Sequence, residues 1–151
     1  MNWAFDISLK NRTILKSFIE SYSLEDLNKV PEGFGNNIIW NIAHTIVSQQ
    51  LLVYGLSSVP TMVPESMIER FRKGTKPGKD LTQAEVNGIK ELLFSTIEKT
   101  KEDYQNGVFK TFQRYTTSTN STLTNVDEAI MFNGYHEGIH LGYILALKKS
   151  L

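Results

Sequence analysis

The stretch Asn36-Asn37-Ile38-Ile39-Trp40-Asn41-Ile42-Ala43-His44-Thr45-Ile46-Val47-Ser48-Gln49-Gln50-Leu51-Leu52-Val53-Tyr54-Gly55-Leu56 decides how this chain folds. Its apolar residues recur around almost the whole circumference of a helix, which is the pattern of a helix buried on several sides. Asn36 or Asn37 can cap it, since an amide oxygen accepts the unpaired backbone N–H groups of a first turn. One polar stripe interrupts the apolar surface: Asn41, His44, Thr45 and Ser48. A central helix of this kind needs other helices around it.

Three further long amphipathic segments supply them. One runs from about Phe5 to Tyr22, with Ile14, Leu15, Phe18, Ile19 and Tyr22 at helical spacing. A second opens on the capping box Thr82-Gln83-Ala84-Glu85, continues through Val86, Ile89, Leu93 and Ile97, and closes at Asn106-Gly107. The third starts near Thr124 or Asn125 and runs close to the C-terminus. Ser23-Leu24-Glu25-Asp26 opens a short helix before Pro31, and another short helix fits near Glu65 to Arg72. The long connections Ser57–Leu81 and Val108–Leu123 read as loops, the latter rich in threonine and serine. The expectation is an all-α four-helix bundle with long crossover loops, as one domain over residues 1–151.

Composition narrows the function classes. Sixteen basic and sixteen acidic residues give zero formal net charge, which disfavours general nucleic-acid binding. No apolar run approaches the ~20 residues of a membrane span. The start Met1-Asn2-Trp3-Ala4-Phe5-Asp6 lacks a basic region followed by a long apolar core, so a cytoplasmic address is expected. There is no cysteine, which removes disulfides, thiolate ligands and a cysteine nucleophile.

Only three histidines are present. His136 and His140 lie about one helical turn apart, so their rings stack on one face among Phe132, Asn133, Tyr143 and Ile144, toward the core. Such a pair offers two nitrogens to one cation, and His44 on the polar stripe of the central helix can offer a third. Three neutral nitrogen ligands leave a coordination position open for water or substrate. Asn41, Ser48, Asn133 and Tyr143 are the candidates to line this pocket or support the ligands. Tyr54, Tyr115 and Tyr143 can line a pocket or be plain core.

His136-Glu137-Gly138-Ile139-His140 also fits H-E-x-x-H, in which the glutamate is a general base of zinc proteases. Too little chain follows for a downstream third ligand, and Tyr143 and Ala146 occupy the glycine and histidine positions of the extended motif. Glu137, about 100° around the helix from His136, is then a flanking catalytic base or a solvated charge. Gly134, Gly138 and Gly142 form a stripe opposite the histidines and imply a close backbone approach, within the bundle or across a dimer. The basic cluster Arg70, Arg72, Lys73, Lys76 and Lys79 is a solvated surface, or attracts an anion to the site mouth.

Asn37-Ile38-Ile39-Trp40-Asn41-Ile42-Ala43-His44 together with His136-Glu137-Gly138-Ile139-His140-Leu141-Gly142 resembles the DinB-like superfamily, which also contains the YfiT-like proteins. The resemblance covers nearly the whole chain in order and length. It implies a four-helix bundle holding a divalent metal, commonly zinc or nickel, on three histidines, here His44, His136 and His140. It implies thiol-dependent transfer or isomerisation with a low-molecular-weight thiol such as mycothiol, bacillithiol or a glutathione-like cosubstrate, and a homodimer. Relatives often place glutamine where this chain has Tyr143. The functional expectation is a metal-dependent transferase or hydrolase acting on a small molecule. The alternative is a non-catalytic metal-binding or dimeric interaction module whose site is structural or vestigial.

Overall fold

The computed structural model describes residues 1–151. Four long helices make the bundle: α1 (Asn2–Ser21), α3 (Ile38–Gln50), α5 (Gln83–Gln105) and α6 (Val126–Leu147). Two short helices, α2 (Leu24–Asn28) and α4 (Glu65–Phe71), lie in the connections. Both α1 and α3 pack against α5 and α6. The chain is mostly helical, as its periodicity predicts. No helix is long and apolar enough to cross a membrane.

The caps behave as the sequence suggests. Asn37 Oδ1 accepts the Trp40 amide at 2.8 Å and fixes where α3 begins. Its Nδ2 donates to the Asn28 carbonyl at 2.7 Å, and Asn28 in turn exchanges two hydrogen bonds with the Leu81 backbone. Asparagine side chains thus tie α2, the start of α3 and the approach to α5 together. Thr82 and Glu85 form the reciprocal box at the head of α5.

Two features were not legible in advance. The last turn of the central helix, Leu51–Gly55, is π-helical, with Leu56 N–H reaching back to Leu51 O. One extra residue per turn changes which side chains face the bundle, and such turns recur at functional sites. Within the Thr/Ser-rich loop, β1 (Tyr115–Thr116) pairs antiparallel with β2 (Thr122–Leu123). Asn120 turns that hairpin at φ 61°, a left-handed conformation that asparagine tolerates.

The core is split. A larger cluster joins Leu15, Phe18, Ile38, Ile42, Leu93 and Ile144 with their neighbours, and a smaller one joins Phe5, Val53, Tyr54, Ile97, Leu123 and Ile130. Along the chain, Ser8 and Arg12 separate the two on α1, Gln49 and Gln50 on α3, and Asn133 and Glu137 on α6, all buried. Gln49 Nε2 donates to Thr100 Oγ1 on α5 at 2.8 Å. Because buried polar groups must find partners, this belt constrains how the helices slide past one another.

Candidate metal centre

α3 and α6 pack side by side, so the polar stripe of one faces the histidine pair of the other. The rings converge: centroids lie 5.2 Å apart for His44 and His136, 4.7 Å for His44 and His140, and 4.6 Å for His136 and His140. One nitrogen from each lies within 4.8 Å of the others. Nitrogens around a zinc ion with bonds of ~2.05 Å stand about 3.3 Å apart, so ring rotations moving atoms by about an ångström close the triangle.

The neighbours of two rings define which nitrogen is free. His44 Nδ1 lies 2.6 Å from the Phe71 carbonyl, an acceptor only, so this nitrogen carries the proton and donates. The carbonyl is available because it belongs to the last turn of α4, whose C=O groups lack helical partners. Ile68 and Phe71 are buried and hold α4 against α3. Trp40 stacks on the other side of the His44 ring at 4.7 Å and 9°. His140 Nδ1 lies 2.8 Å from Asn41 Oδ1. Asn41 Nδ2 donates to Asn36 Oδ1 at 2.8 Å and to Asn37 O at 2.7 Å, so the amide oxygen is the end that faces the imidazole. His140 therefore donates from Nδ1. In both rings Nε2 keeps its lone pair; that of His44 meets the Ser48 hydroxyl at 3.2 Å. His136 Nδ1 is buried with no hydrogen-bond partner.

The electrostatics favour the ligand form. Burial lowers the pKa of His44, against the opposing hydrogen bond to Phe71. Burial, then the nearby His44 and Arg12, lower His136 to about 4. Burial, then His136 and His44, lower His140 to about 3. At neutral pH these imidazoles are uncharged and their lone pairs are available. Three neutral nitrogen donors, one with an orphaned buried nitrogen, fit a divalent cation of borderline softness such as zinc or nickel.

The cluster opens into a cavity of about 440 Å³. Its apolar wall is Leu51, Leu52 and Leu56 from the end of the central helix, with Phe132 and Ile139 from α6. Lys73, Tyr115 and the hairpin residues Thr117, Ser118 and Thr119 complete the lining, as does Ser48.

The other expected site residues divide. Ser48 lines the cavity, and Asn41 holds His140 from behind. Asn133 and Tyr143 do not line it. Asn133 is buried against Glu137, its Nδ2 3.0 Å from Oε1, and Tyr143 packs edge-on against Phe34 at 5.6 Å. Tyr115 is in the lining, whereas Tyr54 is core and donates to Asp103 at 2.7 Å.

Glu137 is no solvated charge: it is fully buried. Its position around α6 turns it away from α3 and onto α1. There Arg12 Nε donates to Oε1 at 2.7 Å, while Nη2 lies 2.7 Å from the same oxygen at an angle too poor for a hydrogen bond. Asn11 Nδ2 approaches Oε2 at 3.4 Å. Glu137 stands outside the group of side chains that can share a cation, and its carboxylate is committed to pairing α6 with α1. Arg12 escaped the reading of the sequence, although its place on the stripe Phe5, Ser8, Leu15 and Ile19 was a visible signal.

For the glycine stripe, the alternative of a close approach within the bundle is not met. A Cβ added at Gly134, Gly138 or Gly142 would meet nothing within 4 Å, so no helix of the bundle approaches there.

A helical bundle with three imidazoles gathered beneath an open cavity defines the class. A family model of the DinB superfamily matches residues 9–144, and the chain belongs to that superfamily. A search of curated proteins found no match.

Proposed function

We propose that this protein is a metal-dependent enzyme acting on a small molecule, with zinc or nickel held by His44, His136 and His140. The observation that carries this reading is the placement of three neutral imidazoles, one with an unsatisfied buried nitrogen, at the base of a solvent-reaching cavity. A purely structural site would have no use for that cavity.

A divalent cation bound there would supply Lewis acidity, lowering the pKa of a coordinating thiol or water toward neutrality. The chain's own residues do the rest. Phe71 O and Asn41 Oδ1 hold protons on Nδ1 of His44 and His140 and so aim Nε2 at the centre. Trp40 fixes the plane of the His44 ring. The Ser48 hydroxyl, at the cavity edge, donates to His44 Nε2 at 3.2 Å when no cation takes that lone pair. Leu51, Leu52, Leu56 and Phe132 keep water from the apolar side. The chain has no cysteine, so a sulfur nucleophile comes from a low-molecular-weight thiol cosubstrate. Transfer of that thiol to an electrophile is the favoured reaction and hydrolysis the alternative; the superfamily resemblance supports the order.

Elemental analysis of purified protein, followed by thiol consumption with a model electrophile, tests this. Stoichiometric metal and a rate well above that of His44→Ala are expected. Absence of metal after expression in supplemented medium would refute it.

The protein also works as a homodimer through α6 in this proposal. Met131, Tyr135, Gly138, Gly142 and Leu145 fall on one stripe of that helix, and Met131 and Tyr135 are more than half exposed. No charged residue interrupts the stripe between Met131 and Leu145, so a second copy can pack against it without like-charge repulsion. The glycines let two such helices come close.

A further inference from the structure

The cavity above the histidines is chemically lopsided, and its asymmetry points to a ligand class. Resting on the reading that this cavity is the reactive site, we propose that it binds a small amphipathic anion. The apolar body lies against Leu51, Leu52, Leu56 and Phe132, and a carboxylate or phosphate monoester sits on Lys73.

No aspartate or glutamate lines the cavity, and Lys73 is its one formally charged side chain. Lys73 is exposed, whereas His44 is buried, so the ammonium marks the outer end and the imidazoles the inner one. Arg70, three residues before Lys73, is committed elsewhere: it is held by Glu85 at 2.8 Å and by the Lys79 carbonyl at 2.5 Å, and neither Arg72 nor Lys76 lines the cavity. Lys73 forms no ion pair within the chain, in contrast to Lys10, Lys16, Lys90 and Lys99. The same cavity carries three hairpin hydroxyls, Thr117, Ser118 and Thr119; one proton is taken up between Thr117 and Thr119 at 3.0 Å, and the others can serve anionic oxygens. A positive group next to a low-dielectric wall attracts an anion more strongly than one in open water. An uncharged apolar molecule would leave Lys73 and the hydroxyls unused, and a cation would be repelled. Of the five basic residues between Arg70 and Lys79, the fold thus turns one toward the site and leaves the others elsewhere.

Titration calorimetry at low salt with octanoate, octyl phosphate, octanol and octylammonium tests the assignment, on zinc-treated and metal-free protein. At least one of the two anions should bind wild type about five- to tenfold more tightly than octanol. Whichever anion wins decides between carboxylate and phosphate. Lys73→Met should remove that preference while leaving octanol unchanged, and Lys73→Glu should favour octylammonium; the exposed position makes both variants safe for folding. Wild type that binds no probe, or an anion preference that survives Lys73→Met, would overturn the proposal. A preference that survives Lys73→Met only with zinc present overturns it by assigning the anion to the cation. Failure of the metal reading looks different: zinc treatment changes no affinity, and the Lys73 dependence in metal-free protein still stands.

Discussion

Replacing Glu137 by glutamine should destabilise this protein severely, for a reason that has nothing to do with catalysis. Both side chains of the Arg12–Glu137 pair are fully buried, and Oε1 accepts hydrogen bonds from Arg12 Nε and Asn133 Nδ2 with Arg12 Nη2 in ion-pair contact at 2.7 Å. The substitution keeps the shape but leaves a guanidinium in the core without a countercharge. Removing one partner of a buried pair typically costs about 3–5 kcal/mol, most of it the desolvation of the charge left behind. For a chain of this length the unfolding entropy near the midpoint is about 0.3 kcal/mol/K, so Tm should fall by about 10–15 °C. Removing both charges should be far milder. In Arg12→Met/Glu137→Leu no charge is left in the layer, and although Asn133 loses its acceptor the double variant should recover much of the loss. Urea unfolding of metal-free wild type, both single variants and the double variant yields the coupling energy directly. A Glu137→Gln protein within about 1 kcal/mol of wild type, or a double variant no more stable than the singles, would refute the reasoning. Loss of thiol transfer in a Glu137→Gln protein of native stability would instead restore the general-base role.

Three other outcomes are expected. Asn41→Ala frees the His140 ring and should weaken zinc binding about 10- to 100-fold in a chelator competition, with little effect on helicity; unchanged affinity would show that Asn41 does not orient the ligand. Metal-free protein should lose stability as pH falls below about 6.5. Folded His136 and His140 titrate at about 4 and about 3, so the unfolded chain binds protons in this window that the folded chain does not. The loss should be on the order of 1 kcal/mol per pH unit per histidine between about pH 6 and about pH 5, and flat urea midpoints across that range would contradict the burial argument. Gly138→Leu should abolish the dimer in light scattering without lowering monomer stability, because the added side chain meets nothing in the bundle; an unchanged mass would place the dimer contact elsewhere.

How much was readable in advance follows from the range of each interaction. The helices of the bundle, the Asn37 cap and the Thr82–Glu85 box depend on residues within a few positions of one another, so periodicity and capping chemistry disclose them. The same is true of His136 and His140 sharing a face of α6. Their meeting with His44, and the absence of a partner within the bundle for the glycine stripe, depend on which helix lies beside which. Glu137 shows the limit most clearly. Its spacing from His136 says that it points elsewhere, but only the packing of α1 against α6 supplies Arg12, 125 residues away in sequence. Likewise His140 is oriented by Asn41 at a separation of 99 and His44 by a carbonyl at the end of α4. The cavity wall required the π-helical turn at Leu51–Gly55, whose register no apolar repeat announces. The amino-acid order alone therefore determined the helices, their ends and the chemical character of each face. Which faces met, which charge was neutralised and which nitrogen was left free were decided by tertiary packing, because side-chain partners across helices are selected by the relative rotation and register of whole elements.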